Sequence, residues 1–195
     1  MICWAAFLVS AFGSLPPGVI NLWTSKIAIE NGWRKALIFA GISAILEIPH
    51  ILLAIFFHTL LFNNDLVKNI FNSIAIFFLF GLAVSLLYPK KVIPESEKIS
   101  ESESYKNWLL INLLNPFAIP FWLVMIDYVG FDVIKSKAFY NYLWIGCAAL
   151  GCFIVLTLYA QLGHYFKKYL VQINRVLAIV YLMMAAIKIF QNLYS

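Results

Sequence analysis

Long apolar runs alternate with short polar stretches along this chain, and six of the runs are long enough to cross about 30 Å of hydrocarbon as helices. They occupy residues 2–23, 36–61, 70–87, 108–129, 139–162 and 170–190. The fold expected is therefore an all-α integral membrane protein with six transmembrane helices. Residues 89–107 form the only markedly polar segment, an alternation of Ser, Glu and Lys that has too little apolar surface to bury. This linker separates a first three-helix repeat, 1–88, from a second, 108–195. With three spans in each half, the second half enters the membrane from the opposite face, which predicts a 3+3 inverted repeat.

Two irregular stretches interrupt this pattern. The first is Gly13-Ser14-Leu15-Pro16-Pro17-Gly18-Val19-Ile20-Asn21, inside the first apolar run. Pro16 and Pro17 have no amide proton to give a helix, and Gly18 lets the backbone leave helical geometry beside them. Asn21 places a donor and an acceptor within reach of the opened backbone. The second stretch is Leu114-Asn115-Pro116-Phe117-Ala118-Ile119-Pro120-Phe121-Trp122, in the fourth run. In register with Leu15 to Trp23, it matches Leu15 with Leu114, Pro17 with Pro116, Ile20 with Ile119 and Trp23 with Trp122. Proline-interrupted segments at corresponding places in two halves point to a transporter's central site. Irregular backbone inside a bilayer must face protein or a water-filled cavity. The plainer reading is a pair of packing kinks, since proline is common in transmembrane helices.

Composition agrees with a polytopic membrane protein: 63% of the 195 residues are hydrophobic and only 12% charged, about half the charge of a soluble domain. The lipid bilayer is thus one partner. The net charge of +5 belongs to the loops, with no basic, aromatic-rich patch to suggest nucleic acid. Ten of the fourteen Lys and Arg fall after the first, third and fifth runs. The positive-inside rule then puts those loops in the cytoplasm and both termini outside an inner (plasma) membrane. Trp33, Tyr88, Tyr105, Trp108, Tyr165 and Tyr169 fall at the inner interface, and Trp4, Tyr128, Tyr140, Tyr142 and Tyr194 at the outer one, as headgroup anchors. Cys3, Cys147 and Cys152 have no paired spacing and read as small packing residues. Without a basic leader or a cleavage site, the first run reads as a retained helix.

Glu47 is the leading candidate for chemistry. It lies about 11 residues, or about 16 Å, into the second run, where an acidic group costs roughly 2.5–3.5 kcal/mol and by default faces a cavity or a partner. A carboxyl group there is able to exchange a proton, as a proton-coupled carrier requires. In the structural alternative it bonds a carbonyl freed by Pro49. His50 follows about 60° round the helix, and His58 returns to within about 20° of Glu47, so the three share a face. Glu47 and His50 have the Glu-x-x-His spacing of bundle metal sites, but no second half-site accompanies them. A relay or a substrate contact is favoured over a metal site, with a place at the outer headgroups the plainer reading of His58. Asn112 and Asn115 sit beside the second break. Asp127 is expected to meet solvent, with Lys188 able to reach it; Asn72, Ser73, Thr157 and Gln161 carry no expectation. Gly41, Ser43, Ala44, Gly146, Ala149 and Gly151 read as close-packing surfaces.

The stretch Ser14-Leu15-Pro16-Pro17-Gly18, the run Gly32-Trp33-Arg34-Lys35-Ala36, the segment Gly41 to Glu47 and Asn115-Pro116-Phe117-Ala118 together resemble the lysine-exporter (LysE/RhtB-type) family of six-helix amino-acid exporters. The likeness spans the whole chain in length and topology, through short motifs. The chain differs at Val19, where that family has a proline, and at Phe117, where a lysine is common. The wider superfamily also holds metal-ion exporters and thiol-electron carriers; the latter need cysteines beside the breaks, and none stands there.

The function expected is export of a small solute, an amino acid or derivative, by proton-coupled alternating access, with no enzymatic activity and no cofactor. Pro16, Pro17, Gly18, Asn21, Glu47, His50, Asn115 and Pro116 form the expected substrate site, with helix N-termini freed by the breaks presenting amides to a carboxylate. The alternative is a divalent metal-ion exporter using Glu47 and His50. Homo-oligomerisation is compatible with either.

Overall fold

The computed structural model describes residues 2–16, 18–61, 65–88, 109–110, 112–115, 117–129 and 138–194. Its main elements are helices: α1 (Ile2–Ser14), α2 (Val19–Asn31), α3 (Trp33–Leu61), α4 (Asp65–Leu87), α5 (Ala118–Val129) and α6 (Ala138–Tyr194). The linker 89–107 and Trp108 lie outside the described residues. Four segments are long and apolar enough to cross a membrane, Trp33–Leu60, Leu66–Leu87, Asn141–Leu162 and Val171–Asn192; α5 and Cys3–Ser14 in α1 are shorter apolar helices.

The first apolar run is two helices. The chain leaves helical geometry between Ser14 and Val19, and α2 then continues past Trp23 to Asn31, beyond the boundary expected from hydropathy. On this extension Lys26 and Glu30 sit one turn apart at 3.9 Å, both exposed. Gly32, at φ 91°, turns the chain from α2 into α3, a conformation in which a side chain is strained. The fifth and sixth runs are continuous in backbone. A straight α6 of 57 residues would extend about 85 Å, yet Trp144 and Ala148 share one core cluster with Leu177, Ala178 and Tyr181. The helix folds back at Leu162, whose φ of −116° and ψ of 15° break the helical path. No loop is needed, because one non-helical residue redirects the axis.

On α3 and α4 the inward rows are made mostly of small and polar residues. On α3, Ala36, Phe39, Ala40, Ser43, Ala44, His50, Ile51, Ala54 and His58 are buried along one side, while Ile38, Ile45, Leu52 and Phe56 face outward. On α4 the inward row is Asn72, Ala75, Leu79 and Ala83, and Ile70, Ile74, Phe77 and Phe80 face outward. Lipid solvates large apolar groups as well as a core does, so tight helix contact falls to small residues. The short helix α5 runs through the middle, with Trp122 to Ile126 all buried.

Gly151 shows what that contact requires. A Cβ placed there would stand 2.5 Å from the Phe7 carbonyl oxygen and 3.1 Å from the Ala11 amide, whereas one at Gly146 meets open space. Gly151 is therefore a close-packing residue as expected, and Gly146 is not. Gly151→Ala should destabilise the protein by about 1–3 kcal/mol, since backbone rather than a pliable side chain must yield. Thermal unfolding in detergent reads this as a lowered midpoint, with Gly146→Ala as the neutral control; equal midpoints would remove the claim.

One expectation is corrected here. Cys3 and Cys147 are not simple packing residues: they form a disulfide that ties α1 to α6 across 144 residues of sequence, with Cα atoms 5.4 Å apart. Only a three-dimensional register between α1 and α6 brings them together, so sequence spacing carried no trace of the pairing. Cys152 remains free and buried.

Candidate functional site

Each break is held open by side chains that bond the backbone it releases. At the first, Asn21 Nδ2 donates to the Ser14 carbonyl at 2.6 Å and to the Pro16 carbonyl at 2.8 Å. Tyr159, from α6, donates its hydroxyl to the Leu15 carbonyl at 2.7 Å, and Ser25 Oγ returns a bond to the Tyr159 carbonyl at 2.8 Å. Three consecutive carbonyls lacking regular helical partners are thereby satisfied in apolar surroundings, where each orphan is costly. Gly18 precedes α2 with an extended backbone and no side-chain cap, so the first amides of α2 have no capping side chain.

At the second break His50 reaches across from α3, with Nε2 2.9 Å from the Leu113 carbonyl. That contact makes Nε2 the protonated nitrogen, because a carbonyl only accepts. Asn115 Oδ1 accepts from the Phe117 amide at 3.2 Å, and the Ala118 amide donates to the Asn115 carbonyl at 3.2 Å, closing the turn into α5. Pro17 and Pro116 lie outside the described residues.

Glu47 is bonded to the helix that follows the second break. It is half-buried, at the middle of α3, and its Oε1 accepts from Trp122 Nε1 of α5 at 2.6 Å. Trp122 is fully buried and packs edge-on to Trp144, with ring centroids 6.4 Å apart. The Cys152 thiol lies against Ser14, the last residue of α1, and within electrostatic reach of Glu47. Close approach of α1 to α5 completes the enclosure: a Cβ at Gly13 would overlap the Phe121 ring at 2.3 Å. Pro49 leaves α3 helical, and the Glu47 carboxyl bonds an indole rather than a freed carbonyl.

Of the expected site residues, the structure joins His50 to the Leu113 carbonyl ahead of the second break and Glu47 to α5 behind it, and it gives Asn21 to the backbone carbonyls of the first. Trp122 and Tyr159 were missed as contributors. The match of Trp122 with Trp23 across the two stretches marked the position without revealing its partner, and Tyr159 carried no signal beyond being a polar aromatic in an apolar run. Among the described residues no three His, Cys, Asp or Glu side chains gather as a metal-binding group.

A family model described as LysE type translocator matches residues 11–191 of the chain. That span begins just ahead of the first break and ends near the end of α6, so it contains the whole arrangement around Glu47. No curated protein and no solved structure matches the chain.

Proposed function

The chain belongs to the LysE type translocator family, and from that premise we propose that this multi-pass membrane protein exports an amino acid or an amino-acid derivative by proton-coupled alternating access. The observation that carries the reading is the Glu47–Trp122 hydrogen bond. It joins a carboxyl group from one half of the chain to a buried indole from the other, in the helix that follows the second break. A carboxyl group so placed meets the requirement for exchanging a proton while the two halves move against each other. The uncapped amides at the start of α2 are a station for a substrate carboxylate, since partial positive charge gathers at a helix N-terminus.

In this reading residues 1–88 and 108–195 form two three-helix repeats of opposite orientation, joined by the linker 89–107, with α2 and α5 as the half-helices that follow corresponding breaks. Both termini lie outside. The lysine and arginine distribution supports that orientation, and so does the Cys3–Cys147 disulfide near the N-terminus, because disulfides persist in oxidising compartments.

Counterflow in proteoliposomes tests the proposal. Vesicles preloaded with pooled unlabelled amino acids should accumulate labelled amino acids, whereas manganese- and cadmium-loaded vesicles should show no metal exchange. Metal flux without amino-acid flux would transfer Glu47 and His50 to the metal-export reading, and silence in both sets would remove the substrate assignment.

A further inference from the structure

Five residues beyond Trp122 on α5, about 7.5 Å along the helix, a second polar cluster gathers at the end of the bundle that carries the N-terminus. Asp127 and Lys188 are bonded ion to ion. Lys188 Nζ also donates to Asn72 Oδ1 at 3.0 Å and stands 5.4 Å over the Tyr128 ring. His58 Nε2 lies 3.9 Å from Asp127 Oδ1, and Tyr128 donates its hydroxyl to the Met184 carbonyl. Asp127 is not the solvent-facing group expected from its position, and His58 is buried against it. The side chains of His58, Asp127 and Lys188 are only 5%, 15% and 6% exposed.

Four elements supply this cluster, α3 and α4 from the first half of the chain, α5 and α6 from the second. A permanent seam there would be served as well or better by apolar residues, since replacing a buried ion pair with well-packed hydrophobes is often neutral or stabilising. A seam that must open and reclose has a different requirement. Opposite charges attract strongly when dry and only weakly once water enters between them. They therefore hold a closed state firmly without penalising a hydrated open one, whereas parted apolar faces would meet water unfavourably.

We propose that Asp127 and Lys188, backed by Asn72 and His58, form the latch that closes this end of the bundle over the Glu47 site during the transport cycle. The inference rests on the carrier reading but not on the identity of its substrate. Lys188 is the moving partner, since its stem reaches from α6 to both α4 and α5, and the pair must part before solute leaves past Trp122.

The chain carries its own reporter. With Cys3 and Cys147 joined, Cys152 is the one free thiol among three cysteines, and it is buried against Ser14, within electrostatic reach of Glu47. A membrane-impermeant cationic methanethiosulfonate reaches it only through an aqueous path. Labelling is followed in right-side-out and inside-out vesicles in parallel, without added substrate. Asp127→Asn and Lys188→Met should each label at least about tenfold faster than wild type from one face only, because a broken buried pair destabilises the closed state. Asn72→Ala, which keeps the pair, should give a smaller rise from the same face. The exchange Asp127→Lys with Lys188→Asp should return labelling towards the wild-type rate.

Wild-type rates in both single variants would overturn the latch, as would faster labelling from both faces equally. If the single variants fail to fold, the other two decide: a slow charge exchange with a one-sided rise in Asn72→Ala supports the latch, and a fast exchange with unchanged Asn72→Ala overturns it. Absence of amino-acid counterflow would remove the substrate assignment while leaving one-sided labelling intact, so the two failures are distinguishable.

Discussion

Glu47→Gln should abolish export driven by a pH gradient while leaving the protein folded. Glutamine keeps the shape of the side chain and an oxygen that accepts the Trp122 Nε1 hydrogen bond, observed at 2.6 Å. What it lacks is the exchangeable proton. The expected loss in gradient-driven accumulation is roughly a hundredfold or more, the size seen when a positioned proton-transfer group is removed. Thermal unfolding should shift little, because the buried indole keeps its acceptor. Passive counterflow should survive better than accumulation, since exchange at equal concentrations needs no net proton movement. Trp122→Phe makes the complementary change. It leaves the proton in place and removes the donor, stranding a carboxyl oxygen at a cost of about 1–3 kcal/mol. That variant should unfold earlier yet retain some response to the gradient. A Glu47→Gln protein that accumulates solute with full pH dependence would end the assignment of Glu47 as the coupling group.

The two variants also separate what the sequence could reveal from what it could not. An acidic residue in the middle of a long apolar run stands out because its cost in lipid demands a reason, and this made Glu47 legible. The proline and glycine clusters were legible on the same grounds, since backbone chemistry is local. Trp122 is different: its importance comes from the Glu47 carboxyl it meets, 75 residues away in sequence. Asn72 and Lys188 meet across 116 residues, and Cys3 and Cys147 across 144. Each such pair depends on helix register, which an apolar run leaves unspecified when lipid accepts every large side chain equally. The end of α2 was also missed, because hydropathy falls at Ser25 and Lys26 while the helix continues to Asn31. The turn between the last two spans was expected as a break in helix, but a kink at one residue was enough.

Asn21→Leu should have the largest effect on stability of any single change at the first break. The Asn21 side chain is buried, and its one amide nitrogen serves both the Ser14 and the Pro16 carbonyls. Leucine fills a similar volume but strands the Ser14 oxygen, while the Pro16 oxygen keeps the Gly18 amide at 2.7 Å, an expected loss of about 1–3 kcal/mol for the one stranded acceptor. Asn21→Asp should be worse, because a carboxylate oxygen would then face two carbonyl oxygens with nothing to donate. The first measurement is the unfolding midpoint in detergent. The second is counterflow on whatever folded protein remains, and it separates two roles for the same residue. A residue that holds the break open lowers the amount of active carrier without changing the apparent KM of the survivors. A residue that binds solute raises KM and leaves the midpoint where it was. The geometry favours the first outcome, since the amide that would meet a substrate is already committed to the backbone. His50 stands in the corresponding place at the second break, with Nε2 given to the Leu113 carbonyl, so the same division between stability and affinity applies there. An unchanged midpoint in Asn21→Leu, with KM raised, would return Asn21 to the substrate.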